Sequence, residues 1–278
     1  MTICEVVQSY LNHLYRMQKK SARHSHSHAK PVLAWCAYAK VEDFDAVQYQ
    51  SLRKDAGVKP ATINRELEVL KQAARHWNRM RLPAEAVTLR HIPRLPENNV
   101  RQGFFEHADW HRLSEHLPWW LVGFCDFAYY TGWRKSEIAG LKWSDIYFDK
   151  EGSTVPTAIR IGDSKNGEGR VIPVAGPIRA VLSGALYNRI TSSPWVFHDP
   201  AGNKIRDFRK RWLTACKAAG FAVAPLFHDF RRTAVRNMIE AGIDREVAKK
   251  ITGHKTDSMF ARYQIVDQRQ MTAALEKL

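Results

Sequence analysis

Four residues between Leu226 and Tyr263 carry the chemistry of this chain: His228, Arg231, His254 and Tyr263. Two imidazoles, a guanidinium and a phenol suit the breaking of a phosphodiester without a metal. Arginine presents a planar fork of donors that matches phosphate oxygens. Imidazoles donate hydrogen bonds or move protons near neutral pH. A tyrosine hydroxyl becomes a covalent nucleophile when surrounding cations help it lose its proton. His228 and Arg231 are three apart at the start of a predicted helix. Both therefore lie on one face, at an end whose free N–H groups attract phosphate. Upstream, Arg134 follows a glycine-terminated apolar run, with Glu137 one helical turn on to hold its guanidinium. Lys165 sits at the tip of a predicted hairpin beside Asn166-Gly167.

Each residue taken singly has a plainer reading. His228 and Arg231 can be a helix cap and a solvated cation. Arg134 and Glu137 can be a surface ion pair. A turn lysine is usually only solubilising, and a lone tyrosine usually packs.

The rest of the chain must position these groups and supply a partner. Forty-three Lys and Arg against 28 Asp and Glu give a net charge of +15, which implies a polyanionic partner, with nucleic acid first among them. At 45% hydrophobic with nine tryptophans, the 278 residues are enough for folded cores, not a disordered basic tail. The length favours about two domains. Cys4, Cys36, Cys125 and Cys216 lie far apart without a CxxC pair, which excludes a zinc knuckle or a disulfide framework and fits buried free thiols in a reducing cytoplasm. No signal peptide is read at the N-terminus, and no apolar run approaches the ~18 residues of a membrane span. The expectation is a soluble intracellular protein.

Helical periodicity runs through the first hundred residues. Ile3, Val6, Val7, Tyr10, Leu14 and Met17 form one stripe, and Ile63, Leu67, Leu70, Ala74 and Trp77 another, with Thr62 expected as N-cap. His24-Ser25-His26-Ser27-His28 reads as a polar loop, since no Cys or carboxylate completes a metal set. Residues 83–103, with Pro83, Pro93, Pro96 and four arginines from Arg81 to Arg101 in and beside them, read as a basic linker that follows a nucleic-acid backbone. Beyond it, a buried helix ends at Gly132 and a short helix runs from Lys135 to Leu141. Strands are expected at Ala158 to Ile161 and Arg170 to Val174. Helices resume near Pro177, Lys204, Asp229, Asp244 and Thr256.

Together these blocks resemble the tyrosine recombinase (phage-type integrase) family. TGWRKSEIAGLKWSDI resembles the block of its first active-site arginine, here Arg134. DSKNGEGRVIPV resembles the hairpin that supplies the active-site lysine, here Lys165. HDFRRT is similar to the HxxR block, giving His228 and Arg231. ITGH is similar to the LGH block, giving His254 with Thr252 in place of Leu. Tyr263 follows His254 by nine residues, as in the family. Trp133 and Phe230 depart from the usual residues but stay apolar. ATINRELEVLKQAARHW is typical of a late helix in the family's core-binding domain.

The resemblance implies a mainly α fold with a small antiparallel β-sheet: a helical core-type DNA-binding domain over 1–82, the linker 83–103, and a catalytic domain over 104–278. No additional arm-binding domain is expected. The implied activity is site-specific cleavage and rejoining of DNA through a 3′-phosphotyrosyl bond to Tyr263, without ATP, cofactor or metal. Arg134 and Arg231 would stabilise the pentacoordinate phosphorus, and Lys165 would protonate the leaving oxygen. His228 would assist proton transfer, and His254 would donate a hydrogen bond to a phosphate oxygen. Double-stranded DNA, a homo-tetramer on that DNA, and accessory DNA-bending or directionality factors are the implied partners, with no membrane. A tail from Gln264 to Leu278 would pack on a neighbour or on its own domain. A type IB topoisomerase uses the same chemistry, and a non-catalytic DNA-binding factor could share the fold.

Overall fold

The computed structural model describes residues 1–97, 103–162, 169–254, 256, 257, 260, 275 and 276. Lys165 and Tyr263 lie outside the described residues, as does nearly all of the tail. The chain divides into two compact units, Met1–Val100 and Arg101–Leu278. Architecture is as expected: mainly helical, with one small antiparallel sheet.

The first unit is built from α1 (Ile3–Arg16), α2 (Ala22–Cys36), α3 (Ala46–Asp55) and α4 (Pro60–Met80). A capping box between Thr2 and Glu5 starts α1, and the Asp45 carboxylate caps α3. Helix α4 begins at Pro60 and not after Thr62, because proline has no N–H to leave unsatisfied and its φ is already helical. Its buried stripe holds Ile63, Leu67, Leu70, Ala74 and Trp77, as the periodicity requires. Buried Glu66 on the same stripe accepts hydrogen bonds from Arg53 and from the Tyr49 hydroxyl at 2.7 Å.

Two expectations change here. The histidine patch is not a loop but part of α2. Its buried stripe consists of Ala22, Ser25, Ala29 and Val32, residues too small to announce a helix, while His24 and His26 face outward. Residues 83–97 pack back along α4. Trp77 Nε1 donates to the Glu85 carbonyl (3.0 Å), Lys71 Nζ to Ile92 (3.1 Å), and the Asn64 side chain both donates to and accepts from Leu95. Ile92 and Leu95 join the first unit's core. An extended segment rich in proline lacks backbone partners of its own, and polar side chains of α4 supply them.

In the second unit come α5 (His107–Ser114), α6 (Trp119–Thr131) and α7 (Lys135–Ala139). The sheet follows: β1 (Ile146–Phe148), β2 (Pro156–Ile161) and β3 (Arg170–Pro173). Four further helices are α8 (Gly176–Tyr187), α9 (Arg209–Ala218), α10 (Asp229–Glu240) and α11 (Arg245–Thr252). The order is β1-β2-β3, with Ile146 opposite Ile159 and Ile161 opposite Arg170. β2 and β3 are the expected strands; β1 is an addition three residues long. Lys204 lies in a bridge with His198 and not in a helix, which begins only at Arg209. Helix α6 is the buried centre: Phe124, Cys125, Phe127 and Ala128 have no exposure. Phe230 stacks on Phe105 at 4.5 Å between ring centroids and so anchors α10 to this core. Cys125 and Cys216 are buried, Cys4 and Cys36 only partly. No helix among the described residues is long and apolar enough to cross a membrane.

Candidate active site

Three loops meet at the ends of α6, α10 and α11. Helix α6 stops at Gly132, whose φ of +63° suits glycine. A Cβ there would meet the Ala234 Cβ at 3.0 Å and Thr252 Cγ2 at 3.3 Å, so the missing side chain lets the first-arginine block touch α10 and α11. Trp133 then buries its ring, and its indole N–H donates to the Ile251 carbonyl at 2.8 Å. Arg134 caps α7. The Glu137 carboxylate accepts from the Arg134 backbone N–H (2.9 Å) and from Nη1 of its guanidinium (2.8 Å). One carboxylate thus fixes both ends of Arg134 while the guanidinium still reaches solvent.

Arg231, in the first turn of α10, is 2% exposed. Its Nε donates to His254 Nε2 at 2.9 Å, and its Nη1 donates to the carbonyls of Gly132 (2.6 Å) and Thr252 (2.5 Å). A single guanidinium therefore joins segments separated by 99 and 21 residues in sequence. The neighbouring Arg232 donates to the Gly103 carbonyl (2.9 Å), and Asp229 accepts from the Leu226 N–H (2.8 Å).

The tautomer of His254 follows from its partners. A guanidinium can only donate, so Nε2 carries a lone pair and Nδ1 carries the hydrogen. Nδ1 lies 2.6 Å from Thr252 Oγ1, which itself donates to the Ala248 carbonyl at 2.8 Å. The chain of donors runs from Arg231 to the imidazole, from the imidazole to Thr252, and from Thr252 to α11. Burial pushes the His254 pKa down to about 3, reinforced by the positive charges of Arg231 and Arg134. The His228 pKa is lowered for the same leading reason, burial, followed by the charge of Arg231. Both rings are neutral at pH 7.

Of the six residues expected from sequence, Arg134, His228, Arg231 and His254 come together here; Lys165 and Tyr263 are outside the described residues. Sequence reading saw Gly132 only as a helix end and passed over the roles of Thr252 and Trp133. Thr252 had registered only as a departure from Leu, yet its hydroxyl is what orients His254. His254 had been expected to donate to a phosphate oxygen, but in this geometry Nε2 accepts from Arg231 instead.

The phage integrase family model matches residues 95–270. The chain belongs to the phage integrase family. It is 28% identical over 154 residues to the tyrosine recombinase XerA of Pyrococcus furiosus, covering 54% of this chain and 51% of that protein. Against the integrase of Escherichia phage HK022 it is 31% identical over 170 residues, covering 57% and 44%. The chain spans about half the length of the curated relatives it matches. Among solved structures, a lambda integrase dimer bound to a COC′ core site superposes with a TM-score of 0.80 at 21% identity, covering 97% of each chain. A lambda integrase tetramer bound to a Holliday junction gives 0.78 at 20% identity, covering 95% of this chain and 78% of that one. At such identities the likeness establishes the fold. In this family member, Arg134, His228, Arg231 and His254, singled out in the sequence, come together with the pKa of both imidazoles lowered by burial.

Two kinds of test address that geometry, the first its hydrogen bonds. Thr252→Val removes the acceptor of the His254 Nδ1 hydrogen and should lower the unfolding free energy by about 1–3 kcal/mol. Nitrogen-15 spectra of the unsubstituted protein should show His254 protonated on Nδ1; protonation on Nε2 would refute the donor chain. The second concerns pH. The His254 pKa is depressed in the fold, so its contribution to stability is complete above pH ~6.5 and is lost as pH falls toward about 3. Between pH 6.5 and 5 this amounts to about 2 kcal/mol. Urea unfolding of the second unit should show that loss, and His254→Asn should remove it; an identical pH slope in the two proteins would contradict the assignment.

Proposed function

We propose that this chain is a site-specific DNA recombinase that cuts and rejoins strands through a covalent tyrosine intermediate. The observation carrying the proposal is the Arg231 junction. It gathers the first-arginine, HxxR and LGH blocks around one cleft that holds Arg134, Arg231 and two neutral imidazoles. A DNA-binding surface needs cations, but it does not need them aligned with imidazoles kept unprotonated.

In the proposed reaction, the Tyr263 oxygen attacks phosphorus as its proton leaves, and His228, neutral and at the mouth of the cleft, takes it up. The bond from phosphorus to the 5′-oxygen breaks, and Lys165 gives that oxygen its proton. The product is a 3′-phosphotyrosyl bond and a free 5′-hydroxyl. Attack by a 5′-hydroxyl of the exchanged strand reverses the step, so the phosphodiester energy is conserved. Arg134 and Arg231 stabilise the charge on the pentacoordinate phosphorus, a contribution of several kcal/mol per well-aligned donor. His254 acts behind Arg231: by accepting from Nε it fixes the plane of the guanidinium. This buttressing role replaces the phosphate donation expected from sequence.

Exchange between two duplexes requires two cuts in each, which calls for four protomers on DNA. The lambda integrase tetramer on a Holliday junction supports that assembly. Accessory DNA-bending or directionality factors and a cytoplasmic, DNA-associated location belong to the same reading. A monomeric type IB topoisomerase would instead relax supercoils with no partner site.

A DNA duplex nicked close to the cleavage position loses a short strand after attack and traps the protein. The unsubstituted chain should form this adduct. Tyr263→Phe should bind the same DNA with unchanged affinity and form none, and Arg134→Ala should form it about 100–1,000 times more slowly. An adduct with Tyr263→Phe would exclude this residue as the nucleophile.

A further inference from the structure

Arg170 belongs to none of the six positions in the proposed reaction, yet it touches every block that the described site contains except α10. It opens β3, paired with Ile161. Its guanidinium crosses to the C-terminal end of α11 and lies against Gly253, the residue before His254. A Cβ on Gly253 would meet Cζ of Arg170 at 2.5 Å and Nη2 at 2.7 Å, with Nη1 closer still. Gly253 therefore serves twice. It supplies the left-handed turn (φ +70°) that ends α11 and the flat seat for this guanidinium. The Arg170 Cζ also lies over the Trp133 ring, 5.2 Å from its centroid. Nη2 stands 4.0 Å from Oε2 of Glu137, the carboxylate already engaged by Arg134.

The placement is costly in isolation. Nε and Nη2 of Arg170 are buried and have no hydrogen-bond partner among the described residues. Burial and the nearby Arg134 both act against the charge, and Glu137 is the carboxylate that offsets them. Buried cationic donors left unmatched are rare in folded proteins and call for a reason. Here the reason is mechanical. A planar, delocalised cation can lie over an indole while its end abuts a bare glycine, whereas an ammonium on a flexible stem does not fill both contacts.

We propose that Arg170 is a positioning residue for strand cleavage. It is a planar wedge that sets the spacing between the Gly253-His254 turn and the Arg134–Glu137 pair. The inference rests on the recombinase reading for its purpose, but the wedge itself is a property of the DNA-free fold. Without it, the turn that carries His254 loses its stop, and the imidazole no longer holds the Arg231 fork in register with Arg134.

Two measurements on the full chain decide it. The first needs no DNA. The amides of Gly253 and His254 donate to the Lys249 carbonyl at 2.8 and 3.0 Å, and their hydrogen exchange reports on the turn. Exchange should accelerate at least tenfold in Arg170→Ala and in Arg170→Lys; exchange at the unsubstituted rate overturns the wedge, whatever the protein does to DNA. The second compares nicked DNA carrying an ordinary scissile phosphate with the same DNA carrying a methylphosphonate, which lacks one non-bridging charge. On phosphate, both variants should form the covalent adduct about 10–100 times more slowly at equal DNA affinity. On methylphosphonate, where less depends on aligned cations, the deficit should shrink to about threefold or less. Equal deficits on both substrates would reduce Arg170 to a stabilising residue and sink the positioning role. If the unsubstituted chain forms no adduct, the recombinase reading fails and takes the catalytic purpose with it, while the exchange result still decides the wedge.

Discussion

The cleft depends on one buried guanidinium. Arg231 is almost wholly removed from water, and the partners described for it are two backbone carbonyls and the lone pair of an imidazole. Those acceptors are neutral. They fix the geometry of the fork without themselves cancelling its charge. A carboxylate in their place would hold the arginine as well but would also repel the phosphate. Only arginine has enough fixed donors to reach all three acceptors together. The same contacts that hold the fold therefore prepare the site. Removing one acceptor of such a buried donor costs about 1–3 kcal/mol.

The other features of the cleft follow from keeping those partners in place. Gly132 must lack a side chain, because its carbonyl has to reach Arg231 while its Cα lies against Ala234 and Thr252. Trp133 repeats the link from the same loop to α11 through the Ile251 carbonyl. Thr252 offers its carbonyl to Arg231 and its hydroxyl to His254, so one residue serves both the guanidinium and the ring that orients it. Phe230 fixes the start of α10 in the aromatic core beside Arg231. Burial, reinforced by the neighbouring positive charges, then keeps both imidazoles neutral, the state in which His228 can accept a proton.

Much of this was legible in the sequence. Gly132 at the end of an apolar run, the three-residue spacing of His228 and Arg231, and an acid one turn after Arg134 all express local geometry, and local geometry survives folding. What was hidden depends on contacts between distant segments. Thr252 looked like a weak substitute for Leu because its value lies in a hydroxyl aimed at a histidine two residues on. Arg170 looked like an ordinary strand residue, since nothing in β3 indicates that Gly253 is its seat. The helix over His24 to His28 was missed because alanine and serine form its buried stripe, and the packing of residues 83–97 because its hydrogen bonds come from the side chains of α4.

The central claim is that the buried fork of Arg231 both holds the three blocks together and acts on the phosphate. Arg231→Lys tests it most directly, since the charge is kept and the fork is lost. Unfolding free energy and the rate of covalent capture on nicked DNA should be measured on the same preparation. The account predicts that both fall, stability by about 1–3 kcal/mol and capture by at least a hundredfold. A lysine variant as stable and as fast as the unsubstituted chain would contradict it.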